Sequence, residues 1–232
     1  MPVVGGLPPR PARMLDVGGT VVVVLQRTSD DFATVGDAML IGLVNEAIAW
    51  QLAVTGFKNC DRPVLSPSRR TMAMGCEGQL AMDGTVMDPA ASGIVVYDVS
   101  TLPPRLVSHL PVVDQLGSPV QSGVAWVSDT VLLAKTQTPL GGATDNQAFT
   151  LDVKSGKASV LLTAHKDAMG KGKGIVYGDV LCRPGCGDVC LMADGDVGKL
   201  RRWSIAGGSL SPMSDVEVDP KTGLPPVALA GY

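Results

Sequence analysis

The chain has 232 residues, 45% of them hydrophobic and only 18% charged, with a formal net charge of −3 and two histidines. That balance offers no basic stripe to a nucleic acid, and no apolar run approaches the roughly eighteen residues a membrane-crossing helix needs. With 28 Gly and 17 Pro, the composition is that of short strands joined by tight turns, so helix should be scarce.

In chain order, Met1 to Gly6 lacks the charged start and apolar stretch of a secretory signal. Short β-branched or alternating runs bounded by Gly, Pro, Asp and Asn then fall into four sets of four strands. The first set is Arg13 to Val17, Thr20 to Arg27, Ala38 to Val44 and Ile48 to Val54; the second is Pro63 to Ser66, Thr71 to Glu77, Gly93 to Val99 and Arg105 to Leu110. The third is Gly123 to Ser128, Thr130 to Thr136, Gln147 to Val153 and Ala158 to Thr163; the fourth is Gly174 to Cys182, Asp188 to Ala193, Lys199 to Ile205 and Leu210 to Val218. Ser128-Asp129, Lys154 to Lys157 and Ala206-Gly207-Gly208 supply turn chemistry, and the long connections Gln79 to Ser92 and Gln137 to Asn146 share one edge, a natural place for a binding surface.

A repeat ties the sets together. Leu43-Val44-Asn45, Tyr97-Asp98-Val99, Leu151-Asp152-Val153 and Trp203-Ser204-Ile205 follow one another at spacings of 54, 54 and 52 residues. Four short strands per unit predict an all-β fold, a β-propeller whose blades cover about 11–55, 61–111, 121–164 and 173–219 of a single domain. Gly6-Leu7-Pro8-Pro9 recurs as Gly223-Leu224-Pro225-Pro226, so 223–232 read as the first strand of a fifth blade and the propeller as open or truncated.

Cysteine placement points to disulfides. Cys60 and Cys76 are each eight residues from Ser68, and Cys182 and Cys190 each four from Cys186, at the centres of two expected hairpins. Antiparallel pairing sets each pair face to face, two staples that persist only in an oxidising compartment. Cys186 is then a free thiol, a partner for Cys190 instead, or a link to another chain. Five reduced thiols, or a metal held by Cys182, Cys186 and Cys190, are the alternatives. The zinc reading lacks a second matched ligand pair.

Ile94 to Thr101 and Phe149 to Gly156 resemble the "apolar, apolar, Asp, x, x, Thr/Ser, Gly" phrase of bacterial YVTN-type and quinoprotein-like β-propellers, and Leu65 to Arg70 is similar to their SPDGR turn, with Ser68 where Asp is usual. The resemblance implies extracytoplasmic bacterial repeat proteins, periplasmic or extracellular and often surface-attached. It implies no catalytic residue: Trp50, Trp126 and Trp203 fall in different strands of different sets and do not form the docking signature of the enzymatic quinoproteins.

Chemistry-bearing candidates are few. Asp194 and Asp196, in Asp194-Gly195-Asp196-Val197-Gly198, alternate as calcium ligands do, but the twelfth position of such a loop is Ile205, and an acidic turn is the simpler reading. Asp83 and Asp88 invite the same thought. No Gly-x-Ser-x-Gly is present; His109 lies in an apolar strand, His165 at a strand end, and Gly170 to Gly174 lacks phosphate-loop spacing. The sequence therefore favours a non-enzymatic module with no cofactor, binding a protein or carbohydrate or serving as a surface scaffold. A propeller-fold hydrolase or lyase, with carboxylates or a metal in the central channel, is the alternative.

Overall fold

The computed structural model describes residues 7–29, 34–80, 86–136, 146–163, 177–194 and 198–218. The first sheet holds β1 (Pro9–Val17), β2 (Thr20–Thr28), β3 (Val35–Val44) and β4 (Ala47–Lys58), paired antiparallel in that order. In the second, β5 (Cys60–Leu65) and β6 (Thr71–Cys76) lead to a small hairpin of β7 (Gln79–Leu80) and β8 (Val86–Asp88). The sheet is completed by β9 (Gly93–Asp98) and β10 (Arg105–Leu110). A four-residue helix, α1 (Val113–Leu116), precedes the third sheet of β11 (Ala125–Trp126), β12 (Val131–Lys135), β13 (Gln147–Asp152) and β14 (Ala158–Thr163). The fourth contains β15 (Tyr177–Arg183), β16 (Val189–Asp194), β17 (Lys199–Ala206) and β18 (Ser209–Pro212), with β19 (Val216–Glu217) also paired to β17. No helix among the described residues is long and apolar enough to cross a membrane.

The sheets stack face to face because their middle strands are apolar on both faces. Side chains alternate across a strand, so neighbours in sequence serve opposite interfaces. Met72, Met74, Val95 and Tyr97 pack against Val22, Val24 and Leu40 of the first sheet. Their neighbours Ala73, Ile94 and Val96 pack against Leu132, Phe149 and Leu151 of the third. Leu133 and Ala148 turn the other way, onto Cys190, Met192 and Trp203 of the fourth. Each Val, Leu, Ile, Met or Phe among these contributes roughly 1.5–3 kcal/mol on burial. Outer strands are wet on one side, as Leu106 and Val107 on β10 and Val160 on β14 show. The first strands gather on the inside, β1 against β5, β5 against β11 and β11 against β15.

Strand ends differ from the expected ones for local reasons. β4 runs on to Lys58 through Gly56 at φ 82°, which carries Phe57 into the seam with the second sheet. Gly93 opposite has no room for a Cβ, which would sit 2.6 Å from both the Phe57 ring and the Leu110 carbonyl. β11 shrinks to two residues because Gly123, at φ 97°, is not extended and because Val127 and Ser128 already belong to the turn, both N–H groups donating to the Val131 carbonyl. The recurring Asp of the repeat phrase is a turn anchor. Asp152 Oδ1 accepts from Ser155 N at 2.7 Å and Ser155 Oγ at 2.8 Å, and Asp98 Oδ1 accepts likewise from Ser100. These bonds hold both carboxyls below the usual range. The expected opening strand at 223–232 lies outside the described residues.

Candidate functional site

The four inner strands line an open pocket of about 600 Å³. Its wall takes Leu15 from β1, Val64 and Leu65 from β5, Trp126 from β11 and Leu181 from β15, and Cys182 and Cys186 stand at its rim. Trp126 has two tasks here. Its ring is wall, and its Nε1–H donates to the Val64 carbonyl at 3.1 Å, tying the second sheet to the third. Trp126→Phe keeps an aromatic ring in the wall but removes the N–H and part of the buried indole, so we expect a loss of at least about 1–2 kcal/mol in urea unfolding. An unchanged midpoint would show that the seam does not depend on this bond.

One residue along from the pocket wall, charge replaces hydrocarbon. Arg62 of the second sheet forms an ion pair with Asp179 of the fourth. Arg62 gets there through a bulge. The hairpin pairs Leu65 with Met72 and Val64 with Ala73, then shifts by one so that Asp61 meets Gly75 and Cys60 meets Cys76. Pro63, with no N–H to offer a ladder, tolerates that irregularity, and Arg62 adopts φ 52° with its N–H on the Asp61 carboxylate at 2.7 Å. The bulge thus re-aims Arg62 and also brings the two cysteines into register.

Lys135, at the end of β12, is 2% exposed. Its ammonium is pushed down to about 7, by burial first and by the nearby Arg62 charge second, with Glu77 working the other way. Glu77 is itself held by Ser122 N at 2.9 Å and Asn59 Nδ2 at 3.0 Å. The two cations flank a missing side chain. A Cβ on Gly123 would lie 3.8 Å from Arg62 Nη1 and 4.0 Å from Lys135 Nζ. Sequence reading missed this cluster, because Arg62, Glu77, Lys135 and Asp179 come from three sheets. The one local signal was a lysine ending the apolar run Val131-Leu132-Leu133-Ala134.

The candidates singled out in sequence fare differently. Disulfides join Cys60 to Cys76 and Cys182 to Cys190, each pair directly opposite in its ladder, and Cys186 is a free, exposed thiol. Asp194 is buried and accepts from Arg201 Nε at 2.7 Å, while Arg201 Nη1 reaches Asp215 at 2.6 Å, so its carboxylate is engaged in an ion-pair network. Asp196, Asp83, His165 and 170–174 lie outside the described residues. Asp88 pairs with Lys58 at 3.5 Å. His109 sits edge-on to Phe57, ring centroids 3.9 Å apart, and burial lowers its pKa. Among the described residues no three His, Cys, Asp or Glu side chains converge as a metal set.

Four antiparallel four-stranded sheets, stacked face to face with their first strands side by side along the inner edge and no pairing that closes the ring among the described residues, settle the architecture. The fold is a β-propeller. No protein-family model and no curated protein matches the chain. Among solved structures, the blades resemble a hypothetical selenium-binding protein from Sulfolobus tokodaii, at TM-score 0.59 and 8% identity, over 90% of this chain and 50% of that one. They are also similar to a dihydro-heme d1 dehydrogenase, at TM-score 0.50 and 18% identity, over 91% of this chain and 38% of that one. A Pyrococcus furiosus trilobed-protease β-propeller domain with an open velcro topology aligns at TM-score 0.44 and 13% identity, over 89% of this chain and 57% of that one. The chain thus spans about a third to somewhat over half of the length of the structures it resembles. At these identities the likeness concerns fold alone.

Proposed function

We propose that the chain is one propeller domain acting as an extracytoplasmic binding module, whose ligand is a protein that inserts an apolar side chain or loop tip into the central channel. The observation that carries this is the pocket of about 600 Å³ walled by first strands of all four blades. Pockets of that size and lining are where proteins take up apolar groups. Its described lining is hydrocarbon, sulfur and one guanidinium, from Arg183, and the carboxylates beside it are engaged, Asp179 by Arg62 and Glu77 by Ser122 and Asn59. A carbohydrate would want more hydrogen-bonding groups than this wall offers. Two disulfides favour an oxidising compartment outside the cytoplasm.

The test is a displayed-peptide selection on the folded chain, followed by binding to Leu181→Arg. Leu181 is a half-buried wall residue, and the arginine fills the pocket with a charged group. Selected peptides should carry an aromatic or aliphatic anchor and lose at least tenfold in affinity for the variant, equivalent to about 1.4 kcal/mol. Peptides that bind both forms equally would place recognition elsewhere on the propeller.

A further inference from the structure

We propose that the hairpin of β15 and β16 is a thiol–disulfide switch in which Cys186 attacks Cys182, forms a Cys182–Cys186 link and releases Cys190 as a thiol. Three sulfurs occupy nine consecutive residues of a single hairpin, the free one at its tip, four residues from each bonded one. Their exposure picks the reacting pair. Cys182 is half-buried, Cys186 is exposed, and both line the rim of the channel pocket, whereas Cys190 is 0% exposed, packed in the cluster that contains Met192 and Trp203. Attack therefore falls on Cys182, the bonded sulfur that a thiolate can reach.

The turn that carries Cys186 is built to move. Gly185 and Gly187 hold φ 74° and 80°, and a Cβ on either would meet nothing within 4 Å. Within the turn Cys186 N donates to the Arg183 carbonyl at 3.2 Å and Gly185 N to the Asp188 carboxylate at 2.7 Å, while β17 pins only its far end, Ile205 N donating to the Asp188 carbonyl at 2.7 Å. Arg183 Nη2 donates to Cys186 Sγ at 3.3 Å, which keeps the sulfur over its own strand end.

The step is balanced within the chain. The Cys186 thiol gives its proton to solvent, the Cys186–Cys182 bond forms as the Cys182–Cys190 bond breaks, and the Cys190 thiolate takes up a proton. No electron enters or leaves, so no oxidant or reductant is needed. The released Cys190 is a neutral thiol among apolar neighbours, where a buried cysteine behaves as a small hydrophobe. At the rim, a cross-strand staple becomes a link internal to the turn. Any effect on ligand access rests on the channel-binding reading; the exchange itself does not.

Sulfur mapping without ligand therefore separates the two ideas. The full chain, kept at pH 4, is brought to pH 8.5, quenched in acid at intervals, cleaved with pepsin and mapped by fragmentation mass spectrometry. We expect the Cys182–Cys186 link with a free Cys190 to rise to roughly a tenth of molecules or more, about fivefold more slowly one pH unit lower and approaching tenfold for each unit below that, as thiolate attack requires. Arg183→Gln should slow it several-fold. Cys190→Ser should form the Cys182–Cys186 link under air, and Cys186→Ser should keep Cys182–Cys190 throughout. Wild-type protein that retains only Cys182–Cys190 after a day at pH 8.5 overturns the proposal, as does a Cys186–Cys190 product in place of the expected one. Because the wild-type time course decides, a poorly folding Cys190→Ser does not leave the matter open.

Discussion

Replacing Cys60 and Cys76 together by alanine should cost about 3 kcal/mol, and replacing Cys182 and Cys190 somewhat less, about 2.5 kcal/mol. The ranking follows from loop length, because a link across sixteen residues removes more freedom from the unfolded chain than one across eight. Location widens the gap. Cys60 and Cys76 are 0% exposed in the seam between the first two blades, beside Met72, Met74 and Val95, and both sulfurs are packed there. Cys182 is only half-buried, at the inner edge of the fourth blade. Urea midpoints of the two double variants at one pH read the order directly. Limited dithiothreitol on native protein should open Cys182–Cys190 first, since its outer sulfur is reachable without unfolding. Equal losses, or first reduction at Cys60–Cys76, would mean that the hairpin of β5 and β6 is held no more tightly than that of β15 and β16 and that the seam between the first two blades is not a closed core.

How much of this was legible in the chain differs between fold and site, and the reason is range. Blade architecture is written in local signals: strand alternation, Gly and Asn turns, and the Asp anchor whose Asp98 and Asp152 copies make the same bonds to Ser100 and Ser155. The Cys182–Cys190 pairing is local too, for that ladder keeps one register from Val180 to Arg183. Cys60–Cys76 was found by counting from Ser68, but the turn closes half a residue away, and only the bulge at Arg62 and Pro63 restores the pairing. Symmetry in the count stood in for a device that the sequence did not reveal. The charged cluster above the pocket was not legible at all. Arg62, Lys135 and Asp179 meet only because three blades converge on one channel, and nothing in the spacing of a lysine and two distant partners announces that. Asp129 is a smaller instance: expected to serve its own hairpin, its carboxylate accepts instead from Ser68 N of the preceding blade at 2.9 Å.

Lys135 sets the second large effect. Unfolded, its amine titrates near 10.5; folded, near 7. Between those values the unfolded chain holds a proton that the folded chain has given up, so stability rises with pH from about 7 to about 10.5. Tyr97 opposes this at the alkaline end. Burial raises its phenol to about 12 from 10, so the folded chain keeps a proton that the unfolded one loses, and stability falls as pH climbs through 10 toward 12. From these two groups, stability should peak near pH 10, well above the usual optimum. Below pH 7 the folded protein carries the cost of a desolvated ammonium beside Arg62, offset in part by Glu77. Methionine matches the lysine stem in length and needs no solvation, so Lys135→Met should stabilise the protein at pH 6.5 by about 2 kcal/mol or more, the attraction to Glu77 limiting the gain. At pH 10, where the native amine is already neutral, the gain should shrink below about 1 kcal/mol. Urea unfolding of both forms at the two pH values is the measurement. A variant destabilised at pH 6.5 would make the ammonium a net contributor through Glu77, and a gain independent of pH would show that Lys135 never loses its proton in the folded channel.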